Sequence, residues 1–314
     1  MVGWGPCFGG GDVTVRWPEF YIVGAPKAGT TSLYAYLARH PAAFLPEQKE
    51  VWHFGSDLDV RDRRRRSPAD FLALYRDAPP DALRGSAYVW YLYSTRAATE
   101  IAAVRPDAHI LIALREPVAA LHALHSEFVY DGNEDIADFA EALAAEPDRL
   151  AGRRIPAEAH FPAGLCYRRT VRYAEQVERY FGRFGRDRVR VILFDDLVSD
   201  PSRVAADIVD FLGLEARPEI AFPHANPNKR TRSAWLRRFL AAPPPGLRRA
   251  VRAAVPGQLR RSAYRRAVAL NAATPERAAL PSTLRDALWA ELAPEVTRLE
   301  GVLGRSLAAW RGSR

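Results

Sequence analysis

A chain of 314 residues with a formal net charge of +8 at pH 7 has room for one large α/β domain or two small ones. Hydrophobic residues make up 48% of it, which is enough for a full core, and its two cysteines match no metal-ligand spacing. These features exclude a small disulfide-stapled fold and favour a reducing, cytoplasmic location. The positive charge indicates anionic partners without identifying them.

The N-terminal segment is rich in glycine. It lacks the basic stretch followed by an apolar run that is typical of a signal peptide. We find no uninterrupted apolar stretch long enough to span a bilayer. We therefore expect residues 1–18 to form a flexible segment and residues 19–314 to form a single domain.

Three short apolar runs bounded by turn residues predict buried strands at Phe20–Gly24, His109–Leu114 and Val189–Phe194. A helix is expected after each of them, over Thr30–Arg39, from Pro117 onward and around Val204–Leu212. This alternation predicts an α/β, P-loop-like three-layer fold, with a central parallel sheet flanked by helices. Beyond Pro218 we expect no further strand, but a helical C-terminal extension over residues 234–314.

The loop between the first strand and its helix has the features of a phosphate cradle. Gly29 lets the backbone approach an anion closely, successive amides point inward, and the helix dipole adds to the attraction. The chain has three lysines among 45 basic residues, and one of them lies in this loop. The residues expected to hold the anion are Lys27, Ala28, Gly29, Thr30, Thr31 and Ser32.

A P-loop kinase is the first alternative interpretation of this loop. The pattern GxxxxGK[ST] places a lysine directly after the second glycine, where it reaches a γ-phosphate. Here Thr30 follows Gly29, and Lys27 lies earlier in the loop. The order of residues therefore favours a shorter 5′-linked group, whose leaving oxygen gains charge beside Lys27.

The segment Pro26–Leu33 resembles the 5′-phosphosulfate-binding loop of the sulfotransferases that use 3′-phosphoadenosine-5′-phosphosulfate (PAPS). That family includes heparan sulfate sulfotransferases and many bacterial enzymes. Segments Gln48–Phe54, Tyr91–Ser94 and Leu114–Pro117 also resemble it, and the resemblance covers residues 20–310. It implies in-line transfer of a sulfuryl group from PAPS to an acceptor hydroxyl on a carbohydrate, glycolipid or small natural product, which leaves the bisphosphate PAP.

The segment Gln48–Phe54 is where the resemblance places the catalytic base. The family's glutamate in this segment accepts the acceptor's proton, which implies that role for Glu50. His53 is the alternative base, since other sulfotransferases use histidine. Lys27 is expected to stabilise the leaving phosphate, with positioning and charge stabilisation supplying most of the rate. No cluster of His, Cys and Asp indicates a metal site, and we expect none.

Arg115 ends a predicted buried strand, where α/β sheets place their ligands, and a guanidinium there can bind a phosphate bidentately. The plainer alternative is a salt bridge to Glu116 or Asp107, but the resemblance favours a 3′-phosphate ligand. The family usually has a serine eight residues after this arginine, where this chain has Ala123. Ser126 lies one helical turn further along and is the candidate replacement.

The polar, basic loop Asn226–Ser233 resembles the family segment that closes over the same phosphate. The resemblance implies a 3′-phosphate role for Lys229, Arg230 and Arg232 as a group. A solvated basic turn is the alternative.

Arginines cluster at residues 61–66 and in four pairs between residues 237 and 266. The simplest interpretation of such clusters is that they lie on solvent-exposed surfaces. The sharper interpretation is a surface for an anionic acceptor or for membrane headgroups, which would make the protein peripheral to the membrane. A non-enzymatic anion-binding protein is the second alternative function. It would leave Glu50 and the Lys27 loop without a purpose, and we expect no nucleic-acid partner.

Overall fold

The computed structural model describes residues 16–61, 64–217, 219–222, 230–231, 272–273 and 279–312. Its central strands are β1 (Phe20–Gly24), β2 (Ala43–Phe44), β3 (Leu83–Ala87), β4 (His109–Leu114) and β5 (Val189–Leu193). They form one parallel sheet in the order β2-β3-β1-β4-β5. The predicted central parallel sheet flanked by helices is confirmed.

The helices of the described part surround this sheet. They are α1 (Thr30–Leu37), α2 (Pro68–Leu72), α3 (Ala97–Val104), α4 (Pro117–Asp131), α5 (Phe139–Ala144), α6 (Glu146–Leu150), α7 (Tyr167–Thr170), α8 (Tyr173–Phe184), α9 (Phe194–Ser199), α10 (Pro201–Phe211), α11 (Ser282–Leu303) and α12 (Ala308–Gly312). Within the described residues, no helix is both long enough and apolar enough to cross a bilayer.

The three predicted strands are present because their apolar side chains are buried in the sheet, except for Val191 of the third strand, which is partly buried. Every residue of β1 is fully buried, as are the last five residues of β4. The third strand ends at Leu193, one residue earlier than predicted, because Phe194 opens α9. The first helix ends at Leu37, ahead of Pro41, since a proline disfavours helical backbone before it.

The sequence pattern does not predict β3, which carries an arginine and a serine in place of an apolar run. The strand forms because Phe20 and Glu19, which lie at the start of β1 and just before it, contact Gly85 and Arg84. A Cβ at Gly85 would lie 2.0 Å from the Phe20 ring, so the ring packs on bare backbone. Arg84 is buried with its guanidinium 3.7 Å from the Glu19 carboxylate, and its backbone N–H donates to Glu19 at 2.8 Å.

The expectation of no strand beyond Pro218 is wrong. Residues Arg230–Thr231 (β6) pair antiparallel with Ala272–Ala273 (β7). A pair of two-residue strands leaves no periodic apolar signal in the sequence, because periodicity needs at least four residues to show.

The strand order places a crevice between β1 and β4. From β1 the chain turns toward β2 and β3 on one side of the sheet, whereas β4 and β5 lie on the other side. Connections that leave neighbouring strands in opposite directions open a crevice at the carboxyl ends of those strands, where α/β proteins bind ligands. The loop after β1 and the residues after β4 lie there.

Helix α11 packs along α8 through the buried side chains of Leu288, Leu292 and Val296. The Glu295 carboxylate accepts a hydrogen bond of 2.8 Å from the Ala174 backbone N–H at the start of α8. This helix therefore rests on the same core as the sheet. The boundary at residue 19 and the extent of the single domain stay predictions.

Candidate active site

Residues 25–29 leave β1 and turn directly into α1. We call them the donor loop, after their predicted ligand. Gly29 has a φ angle of +90°, and a Cβ there would lie 2.7 Å from a methyl group of Leu197, so the position requires glycine. Lys27 also adopts left-handed backbone, with a φ angle of 62°, which is uncommon for a residue with a side chain. Among the described residues, no side chain caps the first turn of α1, which leaves the Thr30 and Thr31 amides available to an anion.

Arg115 follows β4 directly and reaches across the crevice to this loop. Its Nη1 donates a hydrogen bond of 3.2 Å to the Lys27 carbonyl oxygen, and its guanidinium lies 4.5 Å from the centre of the Phe194 ring. The structure thus brings together Lys27 and Arg115, which are 88 residues apart in the sequence.

Asp107 and Glu116, the two carboxylates considered as salt-bridge partners of Arg115, have other partners. Asp107 pairs with Arg105 at 3.0 Å. Glu116 caps α4 by accepting two backbone N–H groups of its first turn, at 3.0 and 2.7 Å. Within the described ranges, no carboxylate forms an ion pair with Arg115, so a half-buried guanidinium is left for an anion.

Asp195 lies close enough to Arg115 to influence its charge, although no sequence pattern singled it out. Burial lowers the pKa of Arg115, and nearby Tyr173, Asp195 and Glu116 act in the opposite direction. One Asp195 carboxylate oxygen is buried and has no hydrogen-bond partner among the residues that the structure describes. The signal for Asp195 was its place directly after a predicted buried strand.

The Lys27 ammonium forms an ion pair with Glu127 on α4, with 3.4 Å between Nζ and Oε2. Both side chains are partly exposed, 30% for Lys27 and 45% for Glu127. The sequence analysis did not single out Glu127, although it lies next to Ser126. The contact shows that the second half of α4 runs beside the donor loop.

Ser126, the candidate replacement for the missing serine, is half-buried on α4. Its hydroxyl donates to the His122 carbonyl oxygen one turn earlier, at 2.8 Å. Ala123 is 1% exposed and packs inside. A hydroxyl has one hydrogen to donate, so Ser126 would have to release the His122 carbonyl oxygen to bind a phosphate, and its 3′-phosphate role stays a prediction.

Glu50 lies at the carboxyl ends of the strands. Its Oε2 accepts a hydrogen bond of 2.7 Å from the Val89 backbone N–H, and its Oε1 pairs with the Lys49 ammonium. Val89 touches the end of β1, since its carbonyl oxygen would lie 2.6 Å from a Cβ at Gly24. Glu50 is therefore positioned beside the first residues of the donor loop.

Tyr34 connects α1 to the segment that carries Glu50. Its hydroxyl donates to the Pro46 carbonyl oxygen. Burial, with a smaller contribution from the Glu50 charge, raises the pKa of Tyr34 to about 12. The helix that follows the donor loop is thus in electrostatic contact with Glu50.

His53 faces away from this group. Its Nδ1 lies 2.8 Å from the Arg66 carbonyl oxygen, and its ring centre lies 4.8 Å from that of Phe71 and 5.4 Å from that of Trp17. Trp17 precedes β1, so the imidazole lies toward the amino end of the strand whose carboxyl end carries Lys27. Burial lowers the pKa of His53.

Comparisons with known proteins agree with this arrangement, although no family model matches the chain. The chain is 25% identical over 213 residues to mouse heparan sulfate glucosamine 3-O-sulfotransferase 3B1, covering 63% of this chain and 46% of that protein. It is 27% identical over 208 residues to human heparan sulfate glucosamine 3-O-sulfotransferase 6, covering 64% and 53%. A crystal structure of a sulfotransferase from Alicyclobacillus acidocaldarius matches with a TM-score of 0.69 and 28% identity, covering 94% of this chain and 99% of that one.

The chain is therefore similar to sulfotransferases in sequence and in fold. It spans about half the length of the curated relatives it matches. The sulfotransferase relationship confirms the resemblance carried by the Lys27 loop, and it gives the kinase interpretation no support.

The structure does not describe the side chains of three predicted phosphate ligands. Lys229 and Arg232 lie outside the described residues, and of Arg230 only the backbone, in β6, is described. Their role in binding a 3′-phosphate stays a prediction. The four arginine pairs between residues 237 and 266 also lie outside the described residues.

The structure describes part of the first arginine run, at residues 61 and 64–66. Arg64, Arg65 and Arg66 line a cavity of about 580 Å³ together with His53 and Glu100. The Glu100 carboxylate accepts hydrogen bonds from the backbone N–H groups of residues 55 and 56, at 2.7 and 3.2 Å. The cavity borders the His53 ring and thus lies apart from the Lys27 loop.

Proposed function

We propose that this sulfotransferase transfers a sulfuryl group from PAPS to an acceptor hydroxyl. The observation that carries the proposal is the meeting of Lys27 and Arg115 at the carboxyl ends of β1 and β4, with Glu50 beside them. The loop cation and the carboxylate would serve the transfer step, and a guanidinium that forms no ion pair among the described residues would bind the donor.

The donor loop fits a 5′-phosphosulfate. The backbone at Gly29 leaves no room for a side chain, and the first turn of α1 has no capping side chain. A phosphate seated there would meet backbone N–H groups and the positive end of the helix dipole. Arg115 would bind the 3′-phosphate, because a half-buried guanidinium gains most from a charged, bidentate partner.

In the reaction, the acceptor oxygen forms a bond to sulfur while the bond from sulfur to the bridging oxygen of the donor breaks. The bridging oxygen leaves with PAP and gains negative charge. Lys27 would stabilise that charge through its ammonium, which is a compact donor on a flexible stem. Such stabilisation favours the transition state more than the ground state and therefore raises the rate.

Glu50 is the base that we propose. It lies at the same edge of the sheet as Lys27, and each of its carboxylate oxygens has one protein partner. A carboxylate offers about four acceptor positions, so Glu50 can also accept the proton of an acceptor hydroxyl. His53 is the weaker candidate, because its ring packs on Trp17 and Phe71, toward the opposite end of β1.

The acceptor is a hydroxyl on a carbohydrate, a glycolipid or a small natural product. The curated relatives are named for action on heparan sulfate glucosamine. Their names support a carbohydrate as the first acceptor to test.

The experiment that tests this function supplies ³⁵S-labelled PAPS with a panel of heparan-type oligosaccharides, neutral glycolipids and hydroxylated small molecules. We expect label in at least one class of acceptor with the wild-type protein. A parallel reaction contains γ-³²P-labelled ATP and magnesium. Transfer of ³²P without transfer of ³⁵S would contradict the proposal and restore the kinase.

A further inference from the structure

Both the backbone and the side chain of Lys27 have partners on α4 or just before it. The Lys27 carbonyl oxygen accepts from Arg115, at 3.2 Å, and its ammonium lies 3.4 Å from the Glu127 carboxylate. Arg115 stands two residues before α4, and Glu127 lies in the second half of that helix. The backbone and the ammonium of Lys27 thus both contact α4 and the segment that leads into it.

We propose that Glu127 is a positioning residue that holds the Lys27 ammonium, and that the donor has to take the ammonium from this carboxylate when it binds. The inference rests on the proposed function, because it assigns the competing anion to the phosphosulfate of PAPS. After transfer, Glu127 competes with PAP for the same ammonium and so promotes release of the product.

The exposure of the pair sets the size of the effect. Ion pairs between partly exposed side chains shift an equilibrium by at most about fivefold. That is weak enough for a donor with several negative charges to displace Glu127, and strong enough to order a lysine with free rotamers. Removing the Glu127 charge should therefore tighten PAP binding by about threefold.

The experiment measures the dissociation constant of PAP by calorimetry at one fixed ionic strength. The variant is Glu127→Gln, which keeps the size of the side chain and removes its charge. The matched control is Glu178→Gln, because Glu178 is 44% exposed and pairs with Arg298 on α11, between two helices that do not carry the donor loop. We expect about threefold tighter PAP binding for Glu127→Gln and no change for Glu178→Gln.

A second pair of proteins tests whether Glu127 acts through Lys27. In the Lys27→Ala background, adding Glu127→Gln should change the dissociation constant by less than about 1.5-fold, since no ammonium is left to release. An equal gain in both backgrounds would show direct repulsion of the ligand and would overturn the proposal. Unchanged or weaker PAP binding by the single Glu127→Gln variant would also overturn it.

Kinetics provide a readout that a structural role of Glu127 would not produce. With an active acceptor, Glu127→Gln should lower KM for PAPS and lower kcat as well, because the product leaves more slowly and Lys27 is less ordered. Wild-type protein that fails to bind PAP at all would refute the proposed function itself. Wild-type binding without the Glu127 effect would refute only this inference.

Discussion

The Glu50→Gln variant should lose turnover by about 10²- to 10⁴-fold, because general-base catalysis typically contributes that much. Glutamine keeps the size of the side chain, but it cannot accept a proton from the acceptor hydroxyl. Affinity for PAP should stay nearly unchanged, since Glu50 contacts Lys49 and Val89 and does not form part of the donor loop. Transfer of labelled sulfate measures turnover, and calorimetry measures PAP affinity.

The matched variant for this prediction is His53→Gln. It should cost less activity, because the His53 ring packs on Phe71 and Trp17 and not beside Lys27. If His53→Gln abolished transfer and Glu50→Gln left it intact, the histidine would be the base. The resemblance to the heparan-type enzymes would then hold for the donor site alone.

Replacing Lys27 by alanine should lower kcat by about 10²- to 10³-fold, the usual effect of losing one group that stabilises developing charge. The ammonium does this when the bridging oxygen of the donor leaves, so the loss falls mainly on kcat and less on PAP affinity. Single-turnover transfer at saturating PAPS separates these two quantities.

Lys27→Arg tests the chemistry of the same position. Arginine keeps the charge but replaces a compact ammonium by a broad planar fork, in a loop where residue 27 has left-handed backbone. We expect it to restore little of the lost turnover. Near-normal turnover would mean that the position needs only a positive charge and that the compact shape of the ammonium contributes little.

The sequence predicted the parts of the fold in which consecutive apolar residues form one buried element. β1 is an apolar run that ends at Gly24, and β4 is apolar after His109, so their strands and the loops after them could be located directly. β3 could not, because the buried Arg84 depends on Glu19, 65 residues away, and Gly85 depends on the Phe20 ring. Contacts between distant segments leave no local pattern.

The same distinction applies to the site. Lys27 and Arg115 were predictable because each follows a predicted strand, and parallel strands bring their carboxyl ends together. Glu127 was not, because its contact with Lys27 depends on the direction in which α4 crosses the loop. The orientations of Glu50 and His53, three residues apart, depend on Val89 and Trp17, and only the folded chain shows them.

The most direct test of the account compares the melting temperature of the protein with PAP and with 5′-AMP, which differ only in the 3′-phosphate. Ligand binding adds to stability by mass action, so selective affinity must give a selective shift. We predict a far larger shift with PAP for the wild type. In Arg115→Ala most of that difference should vanish, because a charge-assisted contact worth roughly 1.5–3 kcal/mol is lost. Equal shifts from PAP and 5′-AMP in the wild type would contradict the assignment of this crevice as a PAPS site.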